Sequence, residues 1–309
     1  MSDSIDQQPW GIDTGFESPE LAGEVAKLGA SAVRITLYWN EVEPVPGRFD
    51  WSKPDFQITR ASEARLFIYI TIWGTPRWAN KGKSQNDPPI SSTDWVNFLR
   101  IVAMRYDRDP WVQAYGIWNE PNLKRFWTGS REEFTSKILS PATQAIKGVD
   151  RRLLVCGPDL SHHWTQSSEW NLGTVLQAAP DLDVLTQHIY PDISSDPNGF
   201  TNFLDKTIQP LRGNRPVWIT ETGYDVCGHK ANDEKQAGYL QYVLNAQAAR
   251  SDWWTKIFIY RLWDPSKKCS SGNGFGLTFG VPIMERSSFA VYRDYIAQHA
   301  TSSDATQTR

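Results

Sequence analysis

The chain is poor in residues that staple, ligate or anchor a protein. Three cysteines, three methionines and five histidines are spread over 309 residues, and no cysteine stands at metal-ligand spacing, which excludes a zinc finger or ribbon. No apolar run approaches the roughly eighteen residues that a membrane-spanning helix needs. Lys and Arg number 32 against 35 Asp and Glu, for a net charge of −3. No helix carries a basic stripe, so neither a nucleic-acid nor a membrane partner is expected. A Gly-rich phosphate turn after an early strand is also missing, which disfavours an open, doubly wound nucleotide-binding sheet. Residues 1–8 are polar and lack a signal-peptide core, so they read as a disordered or added N-terminus. That leaves localisation open between an intracellular protein and a secreted or periplasmic one whose signal has been removed.

Aromatic residues are plentiful: 15 Trp, 11 Tyr and 13 Phe. A large barrel needs bulky core residues, but the flat indole face with its polar N–H also suits the C–H faces of sugars. Cys156 lies in the apolar run Leu153-Leu154-Val155-Cys156 and reads as a buried free thiol. Cys227 and Cys269 fall in expected loops after late strands, so a disulfide between them stays open.

From Pro9 onward, strand-like and helix-like segments alternate eight times. Strand starts are expected near residues 10, 32, 66, 113, 153, 183, 216 and 256, most of them continuous apolar runs of the kind buried on both faces in a parallel sheet. Helices are expected after Ser18-Pro19, near 53–64, from a cap at Ser92-Thr93, near 131–148, 169–179 and 198–211, around Leu240 to Leu244, and near 286–298. A (β/α)₈ barrel of the TIM type follows, one α/β domain over residues 9–300 with a flexible tail at 301–309. No linker divides it, and a monomer is expected.

Two strands share one design. Tyr115-Gly116-Ile117-Trp118-Asn119-Glu120-Pro121-Asn122 climbs through apolar residues to a glutamate and is cut off by proline, while Val217-Trp218-Ile219-Thr220-Glu221-Thr222-Gly223 ends on a glutamate and a glycine. Active sites of such barrels lie at the carboxyl ends of the strands. Two carboxylates facing each other there can cleave an acetal, one protonating the leaving oxygen while the other attacks carbon or activates water. A metal role has less support, because no His or Asp stands at ligand spacing beside either glutamate.

Trp118-Asn119-Glu120-Pro121-Asn122 resembles the acid/base motif of the clan of retaining glycoside hydrolases with (β/α)₈ barrels, and Ile219-Thr220-Glu221-Thr222-Gly223 is similar to the clan's nucleophile strand. The turn from Glu43-Pro44 to Phe49-Asp50-Trp51, and the stretches Phe275-Gly276-Leu277 and Phe289-Ala290, extend the likeness over almost the whole chain. Family 39 looks nearest, with family 5 as the alternative. The resemblance implies a retaining hydrolase of oligo- or polysaccharides that needs no metal or organic cofactor. Glu120 would be its acid/base and Glu221 its nucleophile. Asn119 would bind the sugar 2-hydroxyl, Arg34 would keep Glu221 ionised, and Tyr190 would bond it. His188 would support the acid or the sugar, and Trp263 would form the floor. Trp39, Trp73, Trp78 and Trp127 would line further subsites. Transglycosylation by the same residues and a silent carbohydrate-binding barrel are the competing readings.

One departure is Trp73-Gly74-Thr75-Pro76-Arg77, where clan members often present His or Asn after strand three. A last expectation is a locally positive mouth accepting acidic glycans, from Lys81, Lys83, Lys124, Arg125, Lys230, Lys267 and Lys268. Glu41, Glu43, Asp87, Asp192 and Asp225 stand against it.

Overall fold

In the computed structural model, eight parallel strands close into a barrel in the order β1 to β8. Residues 8–165, 167–191, 198–228, 230–269 and 274–304 are described. In chain order the first elements are β1 (Trp10–Asp13), α1 (Pro19–Leu28), β2 (Ala32–Tyr38), α2 (Trp39–Val42), α3 (Ser52–Glu63), β3 (Phe67–Trp73), α4 (Ser92–Tyr106) and β4 (Val112–Ile117). Then come α5 (Arg131–Phe134), joined by a π turn to α6 (Ser140–Lys147), and β5 (Leu154–Ser161), α7 (Leu172–Ala178) and β6 (Val184–His188). After α8 (Gly199–Phe203), a second π turn leads to α9 (Gln209–Leu211), β7 (Val217–Thr222), α10 (Asp233–Ala248) and β8 (Trp254–Ile259).

Each expected strand start falls within two residues of the observed one. The cap of α4 is Ser91, one residue earlier than expected, and its hydroxyl accepts from the Thr93 amide. Strand β5 runs on to Ser161 through Pro158, which sequence patterning reads as a stop. The segment after β8 folds into a small sheet of β9 (Trp263–Asp264), β10 (Thr278–Phe279) and β11 (Met284–Glu285), not a plain loop. Cys227 and Cys269 are disulfide-bonded, and Cys156 is a buried free thiol. The closing helix α11 spans Ser287–Asp304, beyond the tail boundary expected at 301. No helix among the described residues is long and apolar enough to cross a membrane.

Alternation of side chains along each strand divides the apolar residues into two bodies. The larger lies between strands and helices. The smaller takes residues from β2 through β8, namely Ala32, Phe67, Tyr69, Ala114, Cys156, Val184, Trp218 and Phe258, and fills the barrel interior. Glycine makes room for these rings on β1 and β4. A Cβ on Gly11 of β1 would lie 2.5 Å from the Phe258 ring, and one on Gly116 of β4 would lie 2.1 Å from the Tyr69 hydroxyl. Asp13, Arg34, Thr71 and His188 continue the same inward faces two or four residues further on, so the chemistry sits directly on this aromatic plug.

Candidate active site

The site starts from Arg34. It is buried, and an unpaired buried guanidinium would be costly, yet it finds acceptors on every side. Its Nε donates to Thr71 Oγ1 (2.9 Å), Nη1 to Asp13 Oδ2 (2.7 Å) and Glu221 Oε1 (2.5 Å), and Nη2 to Asn119 Oδ1 (2.8 Å). Burial opposes its charge, but Glu221 and Asp13 outweigh that and keep it protonated. The same burial pushes the Asp13 carboxyl up to about 6, with Arg34 pulling against the shift and Glu221 adding to it.

Glu221 reaches the mouth because of a break in pairing. Trp218 and Thr220 face inward, and the register between β7 and its neighbours slips around Thr220, which turns the next side chain inward as well. Its Oε2 accepts from the Tyr190 hydroxyl at 2.7 Å and lies 3.5 Å from His188 Nδ1.

Glu120 is placed by a strained turn just past β4. Trp118 (φ 72°), Glu120 (φ 39°) and Asp159 (φ 49°) all occupy the left-handed region, at a cost of about 1–3 kcal/mol each. Packing holds the conformation. The Trp118 ring is buried against Trp73, Trp95 and Trp127, and its Nε1 donates to Phe126 O. The Glu120 amide donates to Asp159 O at 3.0 Å. Oε1 of Glu120 lies 3.2 Å from His188 Nδ1, and Oε2 accepts from Arg125 Nη2 at 3.0 Å. Burial alone would raise the Glu120 pKa, but the hydrogen bond and charge of His188, joined by Arg125, hold it at about 2. His188 is raised in turn, since Glu221, Glu120 and Asp159 outweigh the effect of its burial. Asp159, fully buried, faces His188 Nε2 at 3.6 Å and accepts from Tyr69 and Thr220.

Glu120, His188 and Glu221 thus offer three donor atoms within 4.8 Å of one another, the one such group among the described residues. The imidazole beside Glu221, absent from sequence spacing, is supplied by β6. Arg34, Tyr190 and Arg125 already occupy the carboxylate oxygens, and Arg34 places positive charge against Glu221. The residues suit a hydrogen-bonded ion-pair network better than a cation.

Above this group opens a cleft of about 870 Å³. Of the expected sugar-binding residues, Arg34, Asn119, Tyr190, Trp73 and Trp263 line it, and His188 lies beneath the glutamates. Trp39 and Trp127 require correction. Both are fully buried, Trp39 against Trp78, Trp95 and Phe98, and Trp127 against Trp118 and Phe134, so no sugar reaches them. Trp78 packs on Trp39 and donates to Glu43 O, outside the cleft lining.

The expectation of a locally positive mouth built from these cations is also corrected. Among its seven cations only Arg125 lines the cleft, where Lys53, Arg261 and Arg34 stand beside Asp13, Glu17 and Asp225. Asp192 lies outside the described residues. Sequence reasoning missed Asp13, Asp159, Tyr38, Phe126, Tyr260 and Arg261. Asp13 closes β1 much as Glu221 closes β7, and that signal could have found it. Asp159 follows a proline that disguises its strand.

Comparison with known proteins agrees with the barrel. The sequence model of the cellulase family, glycosyl hydrolase family 5, matches residues 2–257. A β-xylosidase of Geobacillus stearothermophilus is 24% identical over 232 residues, covering 63% of this chain and 44% of that protein. The chain spans less than half the length of the curated β-xylosidases it matches. Among solved structures, a GH39 enzyme from Xanthomonas axonopodis pv. citri superposes with a TM-score of 0.73 at 16% identity, over 94% of this chain and 66% of that one. The exo-β-1,4-mannosidase Op5Man5 from Opitutaceae bacterium strain TAV5 gives 0.75 at 17% identity, over 96% and 60%. At such identities the superpositions show the shared (β/α)₈ barrel. The expected likeness to families 5 and 39 is borne out.

Proposed function

Because the chain belongs to the cellulase family, glycosyl hydrolase family 5, we propose that its barrel, residues 9–300, hydrolyses O-glycosidic bonds in an oligo- or polysaccharide by retaining double displacement. The observation that carries this reading is the spacing of the two glutamates. Their nearest oxygens lie within 4.8 Å, close to the separation of about 5–5.5 Å at which the second carboxylate attacks carbon, and short of the ~6.5–9.5 Å that leaves room for an inverting water.

The surroundings divide the roles. Glu221, bonded by Arg34 and Tyr190, is the nucleophile. Its oxygen forms the bond to the anomeric carbon while the bond to the leaving oxygen breaks. Glu120 gives that oxygen a proton, drawn across the 3.2 Å contact from His188. In the second step Glu120 takes a proton from water, which attacks the glycosyl-enzyme and frees Glu221. Asn119, fixed by Arg34, bonds the sugar 2-hydroxyl, and Trp73 and Trp263 offer ring faces and edges to the sugar chain. The β-xylosidase relatives make xylosides the first substrates to try.

A panel of neutral aryl β-glycosides, with product configuration followed by NMR, tests the reading. Turnover with retention is expected. Glu120→Ala should cleave activated leaving groups but stall at the glycosyl-enzyme, with azide restoring turnover. Glu221→Ala should form no intermediate. A Glu221→Ala enzyme that still gives retained products would overturn the assignment.

A further inference from the structure

Arg125 has no part in this mechanism, yet it touches the proposed acid. Its side chain is 69% exposed and donates to Glu120 Oε2, while its guanidinium lies 4.7 Å over the Phe126 ring. Phe126 meets Trp73 edge-on at 5.4 Å, and all three residues line one wall of the cleft. The backbone here is fixed, since the amides of Leu123, Phe126 and Trp127 are bonded to Glu120 O, Leu123 O and Leu123 O. Only the side chain has freedom to swing.

Glu120 is buried but its cation is largely in solvent, so water screens the pair and it adds little to folding. For proton transfer it is a hindrance, because a cation on the acid favours the ionised form. The arrangement suits catalysis if the substrate itself removes the cation. Location says which part of the substrate would do so. His188 sits at Glu120 Oε1, on the side of Glu221, whereas Arg125 holds the opposite oxygen. The acid must touch the bridging oxygen, so a group on its far side from the nucleophile meets the departing sugar. The planar fork of an arginine matches a carboxylate with two parallel bonds, and the adjacent Phe126 and Trp73 rings suit a sugar face.

Resting on the glycosidase reading above, we infer that Arg125 is the binding residue for a carboxylate on the leaving-group side, so that the preferred glycans carry a uronic acid there. Exchange of Glu120 for the substrate's carboxylate frees Oε2 as the substrate docks. Specificity and readiness of the acid are thereby coupled through one side chain.

The test separates binding from turnover. Uronate-containing oligosaccharides are compared with the same glycans after carbodiimide reduction of their carboxylates to alcohols. Calorimetry on Glu221→Gln, which forms no glycosyl-enzyme, should show the acidic members binding tenfold or more tighter. Adding Arg125→Gln should remove that difference and leave the affinity for the reduced glycans within about twofold. The difference should shrink as salt is raised, as for any exposed pair. Equal binding of acidic and reduced glycans, a preference that survives Arg125→Gln, or no binding by any member of the panel overturns the inference. Turnover of neutral aryl glycosides without any carboxylate preference would sink this inference and leave the glycosidase standing. Arg125-dependent binding of acidic glycans by a wild-type protein that cleaves nothing would do the reverse.

Discussion

Arg34→Met is the sharpest test of how the site is held. The substitution removes a buried guanidinium that serves Thr71, Asp13, Glu221 and Asn119 and leaves two carboxylates facing each other without a cation. Stranding the partners of a buried ion pair costs about 3–5 kcal/mol, a large share of the roughly 5–15 kcal/mol that holds a domain together. With an unfolding entropy of about 2.1 cal/mol/K per residue, the melting temperature should fall by about 5–8 °C. The loss should depend on pH. Without Arg34, which pulls it down, the folded-state pKa of Asp13 rises still further above its unfolded value. The folded variant then binds more protons, so its stability falls as pH rises through that window. Thermal unfolding at pH 5 and pH 7.5 reads this directly, with the smaller deficit expected at pH 5. Placing Arg34→Met in an Asp13→Asn, Glu221→Gln background should recover at least half of the lost stability and none of the activity. A deficit that is the same at both pH values and in both backgrounds would refute the reasoning.

Asp13, whose carboxyl is pushed up to about 6 from 3.8, binds its proton more tightly in the folded state. It therefore contributes a loss of stability between about pH 4 and 6, worth up to ~3 kcal/mol. The unfolding free energy of Asp13→Asn relative to wild type should rise by that amount across the window, as followed by urea titration, and a flat difference would refute the raised pKa. Gly116→Ala places a methyl group 2.1 Å from the Tyr69 hydroxyl, which must then leave Asp159. We expect a destabilisation of about 1–3 kcal/mol from overpacking, together with lower kcat, because Asp159 faces His188. A Tyr69→Phe, Gly116→Ala double variant as unstable as Gly116→Ala alone would show that the hydroxyl is not the obstacle.

The barrel was legible because strands buried on both faces are written as continuous apolar runs, and Glu120 and Glu221 because each ends such a run. What escaped depends on partners distant in sequence. Trp39 and Trp127 look like cleft residues from their places after strand ends, but Trp78, Trp95, Phe98, Trp118 and Phe134 close over them. Strands β9 to β11 have two residues each, too few for a period to show. Both π turns sit inside patterns that read as ordinary helix. The pairing of Cys227 with Cys269 needed a distance, and the convergence of His188 on both glutamates needed the closure of the sheet. Arg125 was visible as one charge among seven, and only its bond to Glu120 sets it apart.

The aromatic plug beneath the site has a consequence for traffic. Phe67, Tyr69, Trp218 and Phe258 are exposed by at most 3%, so the barrel axis is blocked and the glutamates communicate with solvent through the mouth alone. Under the proposed double displacement, the departing sugar, the incoming water and any competing acceptor sugar share one doorway and must use it in turn. Whatever lingers at the Arg125 wall after the first step then delays the second. The lifetime of the glycosyl-enzyme becomes a property of the exit as much as of the bond.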